Sequence, residues 1–316
     1  MGKIRLLVSG GLGFLGSDFI NHIFHKDIYK IINLDNISNC NDETSVDECI
    51  RNSDDYFFIK GNFGDKKLVK KILETYKITH VLNLAATQFQ NQTIDDTEFY
   101  VKNNVLNLTK FLETCLEYGK IEMFIHMSTF FQNNTNKSST NNNCLNNYLI
   151  TKDAGANIVR LYRDVKKMPI IICVSDSIFG IKQCVPAPVS SFLTILKSGN
   201  KIPVHINDTK KANMIYISNV SIAFEILFQK GAVGEIYDIV SDVDGCYSRL
   251  QLARELVHDF TGTEDYTKWI NYINDKTCER YDCKTDNFKL KELGWSISVS
   301  TLDGLKIVSD HYKNSC

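Results

Sequence analysis

The sequence predicts an α/β protein: a Rossmann-like, doubly wound parallel sheet with a smaller mixed α/β lobe at the C-terminal end. Three observations support this. Short apolar strands alternate with helical patterns up to about residue 175. A glycine-rich turn joins the first strand directly to the first helix. Beyond residue 175 the alternation stops. We therefore expect a first domain over residues 1–175 and a second lobe over 176–316, with strands interleaved between them.

Each strand of the first domain is a short apolar run of the kind that a buried parallel sheet uses. These strands are predicted at residues 3–9, 31–35, 56–60, 79–86, 122–128 and 170–175. Helices with apolar residues on one face are predicted between them, at residues 17–25, 66–76, 95–118 and 148–167. Two polar stretches are predicted as loops, residues 36–55 with a short helix and the Asn-rich residues 132–147.

The second lobe mixes shorter elements. Its strands are predicted at residues 202–205, 214–217 and 235–240. A loop up to Pro188 is followed by helices predicted at residues 188–197, 218–230 and 248–260, with a last helix from residue 301. This order lacks the regular alternation of the first domain, so we expect a separate, mixed arrangement.

The composition excludes several classes of function. The net charge is −1 over 316 residues, which predicts neither a nucleic-acid partner nor a membrane partner. The ten cysteines include no Cys-x-x-Cys pair, so we expect no metal site and no disulfide framework. Reduced thiols, no signal peptide and no apolar run of membrane-spanning length predict a cytoplasmic protein.

The glycine turn predicts a dinucleotide site. Gly10, Gly13 and Gly16 follow the first strand at once and open a helix. Such glycines allow a tight turn, a close approach to a pyrophosphate, and close packing of helix on strand. The helix N-terminus presents unpaired N–H groups to phosphate. The alternative is a glycine turn that binds no ligand.

A carboxylate at the end of the second strand extends this motif. Asp35 lies 19 residues beyond Gly16, near the spacing of about 20 typical of the residue that binds the adenine ribose. A carboxylate there accepts hydrogen bonds from the ribose hydroxyls and repels a 2′-phosphate. We therefore expect NAD rather than NADP.

Candidate catalytic residues follow the fifth strand. Tyr148 and Lys152 lie one helical turn apart, so the ammonium is expected to lower the pKa of the phenol and make it a base. Ser128 or Thr129 could hydrogen-bond the same substrate oxygen. The pattern is not specific by itself, because it occurs at Tyr56/Lys60, Tyr148/Lys152, Tyr162/Lys166 and Tyr272/Lys276. Only Tyr148 opens a helix directly after the fifth strand and its loop; the alternative is a solvated helix face.

These residues resemble a known family. The resemblance depends on these residues and motifs: Gly10-x-x-Gly13-x-x-Gly16, Asp35, Ala85-Ala86, Asn104-Val105, Ser128-Thr129 and Tyr148-x-x-x-Lys152. Together they resemble the extended short-chain dehydrogenase/reductases, and within that group the dTDP-glucose 4,6-dehydratases. The resemblance covers nearly the whole chain. It implies bound NAD, a nucleotide-sugar substrate between two lobes, and a homodimer built on the helices near 95–118 and 148–167.

The resemblance also assigns roles to residues. It implies catalytic roles for Tyr148, Lys152, Thr129 and Ser128. It implies contacts with NAD for Gly10, Gly13, Phe14, Leu15, Gly16, Asp35, Asn36, Asn62, Phe63, Ala85, Ala86, Thr87, Asn104, Tyr148 and Lys152. It implies contacts with the substrate for Gln88, Ser177, Lys210, Lys211, Lys276 and Arg280.

The chain departs from that family on the substrate side. The dehydratases carry an Asp-Glu pair after their Ser-Thr, where this chain has Phe130 and Phe131. A phenyl ring can neither give nor take a proton. A general acid or base typically raises the reaction rate by roughly 10²–10⁴-fold, so the loss of both groups is expected to slow the elimination of water strongly. Three interpretations stay open: a nucleotide-sugar dehydratase, a 4-epimerase or reductase, and an NAD-binding relative impaired in catalysis.

Overall fold

The protein is described by a computed structural model that covers residues 2–37, 42–87, 96–129, 147–184, 186–205, 210–274 and 286–315. Its strands are β1 (Ile4–Ser9), β2 (Tyr29–Asp35), β3 (Tyr56–Lys60), β4 (His80–Asn83), β5 (Met123–Thr129), β6 (Ile170–Ser175), β7 (Ser177–Phe179), β8 (Ile202–His205), β9 (Ala212–Tyr216), β10 (Ile236–Asp238), β11 (Cys246–Tyr247) and β12 (Ile270–Ile273).

The helices complete the description. They are α1 (Phe14–Phe24), α2 (Glu48–Arg51), α3 (Lys66–Tyr76), α4 (Thr97–Val101), α5 (Leu108–Tyr118), α6 (Asn147–Asp164), α7 (Pro188–Lys197), α8 (Ile217–Lys230), α9 (Arg249–Thr261), α10 (Phe288–Glu292) and α11 (Thr301–Asn314).

Seven strands form one parallel sheet in the order β10-β6-β5-β4-β1-β2-β3. The chain first winds from β1 toward β3, then returns to the other side of β1 with β4. The predicted doubly wound, Rossmann-like sheet is therefore confirmed. In such a sheet the crevice outside the carboxyl ends of β1 and β4 is the expected ligand site.

Helices cover both faces of this sheet. Side chains of β1 alternate between two cores: Leu6 packs in the core that α1 and α8 cover, and Leu7 in the core that α3, α5 and α6 cover. Phe19 of α1 and Phe224 of α8 meet edge to face at 5.7 Å. Burial on both faces explains why the strands are apolar runs rather than alternating patterns.

The chain beyond residue 175 also contributes a strand to the seven-stranded sheet and a helix to one of its faces. β10 pairs with β6, and α8 packs on α1. The remaining elements form a second lobe with one three-stranded sheet, β11-β9-β7, and one two-stranded sheet, β12-β8. Its core lies between α7, α9 and α11.

Two of the differences between the structure and the predicted elements concern the helix after β4 and the stretch before Pro188. The predicted helix over residues 95–118 is divided into α4 and α5 by a π-helical segment, Lys102–Asn107. β7 lies in the stretch predicted as a loop before Pro188, and it pairs with β9. Its three residues are too few to show a strand period, so their pairing depends on a partner distant in sequence.

One expectation about the cysteines is wrong. Cys246 is disulfide-bonded, so the chain does not hold reduced thiols alone. Among the other described cysteines, Cys49, Cys115 and Cys173 are free thiols. Within the described ranges, no helix is both long and apolar enough to cross a membrane, and no cluster of three or more His, Cys, Asp or Glu residues could hold a metal ion.

Candidate active site

The glycine turn after β1 is packed too closely to accept side chains. Gly10 has a φ of +77°, and a Cβ there would lie 2.8 Å from the backbone nitrogen of Ala85 after β4. A Cβ on Gly16 would overlap the carbonyl oxygen of Gly10. The N-cap of α1 is Gly13, which provides no side-chain cap. No side chain therefore takes the place where an anion would meet the helix N-terminus.

Asp35 lies under this turn and holds it. Its Oδ2 accepts a hydrogen bond from the Leu12 N–H at 3.0 Å, and its Oδ1 accepts one from the Ile37 N–H at 2.9 Å. The residue is 3% exposed and still lines the cavity described next. These two bonds fix the carboxylate at the carboxyl end of β2, beside the glycine turn.

A cavity of about 290 Å³ opens along the carboxyl ends of the parallel strands. Every residue predicted to contact NAD lines it, with the exception of Asn104. The four predicted catalytic residues also line it: Ser128, Thr129, Tyr148 and Lys152. The tertiary structure therefore brings the glycine turn, Asp35 and the Tyr–Lys pair, which are far apart in sequence, into one cavity.

Lys152 is a buried residue of the cavity wall. It is 8% exposed, and its Nζ donates a hydrogen bond of 2.8 Å to the carbonyl oxygen of Met127 on β5. Burial lowers the pKa of Lys152 to about 8, because an ammonium loses hydration there. The group is thus close to its titration point in the physiological range.

The expected lowering of the Tyr148 pKa by Lys152 is wrong. The pKa of Tyr148 is raised to about 12, first because burial disfavours the phenolate and second because of Tyr100. The Lys152 ammonium is engaged with Met127 instead. One helical turn of separation places two side chains on one face, but the contacts of each depend on the neighbouring elements.

Asn104, from the π-helical segment, supports the cavity without lining it. Its Oδ1 accepts from the Thr87 N–H at 2.8 Å, and its Nδ2 donates to the Thr87 carbonyl oxygen at 3.0 Å. The same Nδ2 lies 3.0 Å from Oγ1 of Thr151 on α6. Asn104 therefore ties the segment after β4 to the helix that carries Tyr148 and Lys152.

A buried polar chain crosses three strands near the site, and sequence analysis missed it. Ser9 Oγ donates to Asn83 Oδ1 at 2.6 Å, and Asn83 Nδ2 donates to His126 Nδ1 at 2.9 Å. The pKa of His126 lies well below its usual value, first because of burial and then because of Lys152. The sequence does contain a signal for this chain, because each of the three polar residues stands within an apolar strand. A buried polar group needs a hydrogen-bond partner, so such residues are expected to bond to one another.

The predicted substrate residues are not all brought together. Ser177 and Lys210 line a small neighbouring pocket with Arg249, which the sequence analysis did not single out. Lys211 is exposed and lines neither pocket. Several other positions of interest lie outside the described residues: Gln88, Phe130, Phe131, Lys276 and Arg280.

The cavity also contains polar residues that had no predicted role. Ser175 and Asp176 line it at the end of β6, and Gln183 lines it after β7. The general rule that ligands bind at carboxyl ends of parallel strands points to the loop after Ser175, but it does not say which side chains face the cavity.

The family profile described as GDP-mannose 4,6 dehydratase matches residues 7–308. The chain belongs to this family. Its resemblance to the extended short-chain dehydrogenase/reductases and to dTDP-glucose 4,6-dehydratases is confirmed. As a member of the GDP-mannose 4,6 dehydratase family, the chain has relatives along nearly its whole length.

Three proteins illustrate the similarity. The dTDP-D-glucose 4,6-dehydratase of Dictyostelium discoideum is 28% identical, over 98% of this chain and 82% of that protein. A dTDP-glucose 4,6-dehydratase from Bacillus anthracis, solved in complex with NAD, has a TM-score of 0.81 at 21% identity, covering 98% and 96% of the two chains. A UDP-glucuronic acid 4-epimerase from Bacillus cereus, also solved in complex with NAD, has a TM-score of 0.80 at 21% identity, covering 98% and 99%.

Proposed function

We propose that this protein is an NAD-dependent enzyme that modifies a nucleotide sugar, with hydride transfer at sugar C4 and Tyr148 as the base. One observation carries the proposal. A single cavity is lined by the glycine turn and Asp35 on one side, and by Thr129, Tyr148 and Lys152 on the other. A dinucleotide and a sugar can meet only in a cavity that joins both sets.

The described residues fit NAD. The uncapped N-terminus of α1 and the close glycine turn would hold the pyrophosphate. The carboxylate of Asp35 would accept the hydroxyls of the adenine ribose. NAD, when bound, supplies a hydride acceptor that no protein side chain can replace. Lys152, which lines the cavity, would contact the second ribose.

The phenol of Tyr148 would take the proton of the sugar hydroxyl. Its raised pKa favours the protonated phenol over the phenolate. A positive charge brought beside the phenol favours the phenolate and lowers this pKa. Lys152 and a bound cationic ring would both act in that direction. Ser128 or Thr129 would hydrogen-bond the same sugar oxygen.

The net reaction is proposed as dehydration of the 4,6-dehydratase type, from the family and the Dictyostelium relative. Epimerisation or reduction at C4 is the alternative, because Phe130 and Phe131 stand where the dehydratases have an acid and a base. The similar fold of a 4-epimerase supports this alternative. An NAD-binding protein without catalysis is the third candidate, since Phe130 and Phe131 can neither give nor take a proton.

The oligomeric state and the separate roles of the two parts of the chain belong to the same proposal. Residues 1–175 would hold NAD, and residues 176–316 would hold the nucleotide sugar, with Ser177, Lys210 and Lys211 among its ligands. Exposed apolar side chains on α4, the π-helical segment and α6 support a homodimer; they include Phe99, Leu106, Ile150 and Leu161. A cytoplasmic location is part of the same proposal.

The test uses the purified protein. Bound NAD is measured after acid release, and dTDP-glucose, UDP-glucose and UDP-galactose are then added while product and absorbance of reduced cofactor are followed. We expect one NAD per chain and a product with one of the sugars. Cofactor with sugar binding and no product would favour the non-catalytic candidate. Absence of NAD binding would contradict the proposal as a whole.

A further inference from the structure

Two segments of the chain meet beside α1, the helix that begins at the glycine turn. We call residues 42–47 the β2 segment and residues 180–184 the β7 segment, after the strands that precede them. β2 ends at Asp35, which lines the cavity, and the β7 segment contains Gln183, which lines it as well. A contact between the two segments therefore joins parts of the chain that lead to different places in the cavity wall.

A hydrogen bond makes this contact. Lys182 Nζ in the β7 segment donates to the carbonyl oxygen of Ser45 in the β2 segment at 3.0 Å, across 137 positions of sequence. The same carbonyl oxygen accepts a bond of 3.1 Å from Asn21 Nδ2 on α1. Asn21 Oδ1 in turn accepts from the Asp47 N–H at 3.0 Å. The β2 segment is thus fixed on α1, and Lys182 attaches the β7 segment to it.

A carboxylate on α1 favours the Lys182 ammonium at this position. Asp18, three residues before Asn21, accepts a hydrogen bond of 2.5 Å from Ser221 Oγ of α8. Burial raises the pKa of Asp18, whereas the Ser221 hydrogen bond and then nearby positive charge, including that of Lys182, oppose the rise. Since opposite charges attract, Asp18 adds to the hydrogen bond in holding Lys182 beside α1.

The β7 segment also packs against the first turn of α1. A Cβ on Gly180 would lie 3.2 Å from Cε2 of Phe14 and 2.6 Å from Cγ2 of Ile217. Phe14 is the first residue of α1 and lines the cavity. The position of the β7 segment therefore defines the cavity wall next to the helix N-terminus, where a pyrophosphate would bind.

We propose that Lys182 is a positioning residue that holds the β7 segment against α1 and thereby slows the dissociation of NAD. The inference rests on the proposed function, because it takes NAD as the occupant of the cavity. While the Lys182–Ser45 bond is made, Gln183 and Phe14 are held together in one wall. Without it, the β7 segment is free to move away from α1, and that side of the cavity opens. Lys182 is exposed and does not line the cavity, so it acts on cofactor release through its neighbours.

The test measures how fast the cofactor leaves. Wild type, Lys182→Met and Lys182→Arg are loaded with NADH and mixed with excess NAD, and the change in NADH fluorescence is followed by stopped flow. We expect release from Lys182→Met to be about fivefold faster, the effect of losing one hydrogen bond. Lys182→Arg keeps a positive charge and N–H donors, so its release rate should stay near that of the wild type.

The matched control is Lys201→Met. Lys201 Nζ also donates to a backbone carbonyl oxygen, that of Thr267, at 2.9 Å, and neither residue lines the cavity. This variant should release NADH at the wild-type rate. Asn21→Leu removes the other donor to Ser45 and should also speed release, so the test stays decisive if Lys182→Met fails to fold.

The remaining outcomes separate this role from the proposed function. Release from Lys182→Met at the wild-type rate overturns the role of Lys182, as does an equal acceleration in Lys201→Met. Fast release from Lys182→Arg also overturns it, because the donor and the charge are retained there. In each of these cases NAD binding, and with it the proposed function, stands. A wild type that binds neither NADH nor NAD contradicts the proposed function and this inference together.

Discussion

The Nζ atom of Lys152 lies 2.8 Å from the carbonyl oxygen of Met127, and this bond ties α6 to the end of β5 beneath the cavity. Burial disfavours the charged ammonium at this position, and it lowers the pKa of Lys152 to about 8. The pKa of Tyr148, on the same helix, is raised by burial and then by Tyr100.

The first prediction concerns stability and pH. The folded pKa of Lys152 lies below the unfolded value, so the unfolded chain binds more protons between about pH 8 and 10.5. The Lys152 contribution to the free energy of unfolding should therefore rise with pH across this window. Lys152→Met should lack this contribution. Urea unfolding of both proteins at pH 7.5 and 9.5 measures the difference, and parallel pH dependence in the two would contradict it.

The second prediction concerns the glycine turn. Gly16→Ala should weaken NAD binding by about tenfold or more and lower stability by about 1–3 kcal/mol, since its Cβ would overlap the Gly10 carbonyl oxygen. Gly2→Ala is the matched control, because a Cβ there meets nothing within 4 Å. NAD titration followed by fluorescence, with thermal unfolding, checks both effects. Unchanged NAD affinity in Gly16→Ala would remove the turn from the cofactor site.

The third prediction concerns cofactor choice. Asp35→Asn should reduce the preference for NAD over NADP, because the repulsion of a 2′-phosphate is lost. It should also lower stability by about 1–3 kcal/mol, since one of two backbone N–H donors would face an amide N–H₂. The ratio of the two Kd values is the readout. A wild type that binds NADP as well as NAD would contradict the role of Asp35.

The fourth prediction concerns the base. Tyr148→Phe should lower kcat by roughly 10²–10⁴-fold with NAD binding retained, because the phenol oxygen is lost and the ring stays. Tyr272→Phe is the control: it changes the same residue type in another Tyr-x-x-x-Lys pattern, on the 44% exposed side chain of Tyr272. Equal turnover of Tyr148→Phe and the wild type would exclude Tyr148 as the base.

The fifth prediction concerns the dimer. Leu106 and Ile150 are 47% and 48% exposed on the face formed by the π-helical segment and α6. Glutamate at both positions should give a folded monomer, since a charge buried in an interface is not compensated. Val243→Glu, at a 72% exposed site on the second lobe, is the control. Light scattering measures the mass; a wild-type monomer would contradict the proposed dimer.

The regular elements follow from local pattern. Tyr56–Lys60, Lys66–Tyr76 and Ile170–Ser175 occur where the sequence predicts them. Strand and helix periods, and the position of glycine, are local properties that do not need the rest of the chain. The exceptions, β7 and the π-helical segment, depend on partners far away in sequence: β9 for β7, and Thr87 and Thr151 for Asn104.

By itself, the sequence determined the parallel sheet, the glycine turn with its carboxylate, and the candidate Tyr–Lys pair, since each is a short-range pattern. Tertiary structure decided what surrounds them. It placed Lys152 against Met127, raised the pKa of Tyr148, and put Asp176 in the same cavity as Asp35. Burial and electrostatic fields sum over neighbours from many segments, so only the folded chain specifies them.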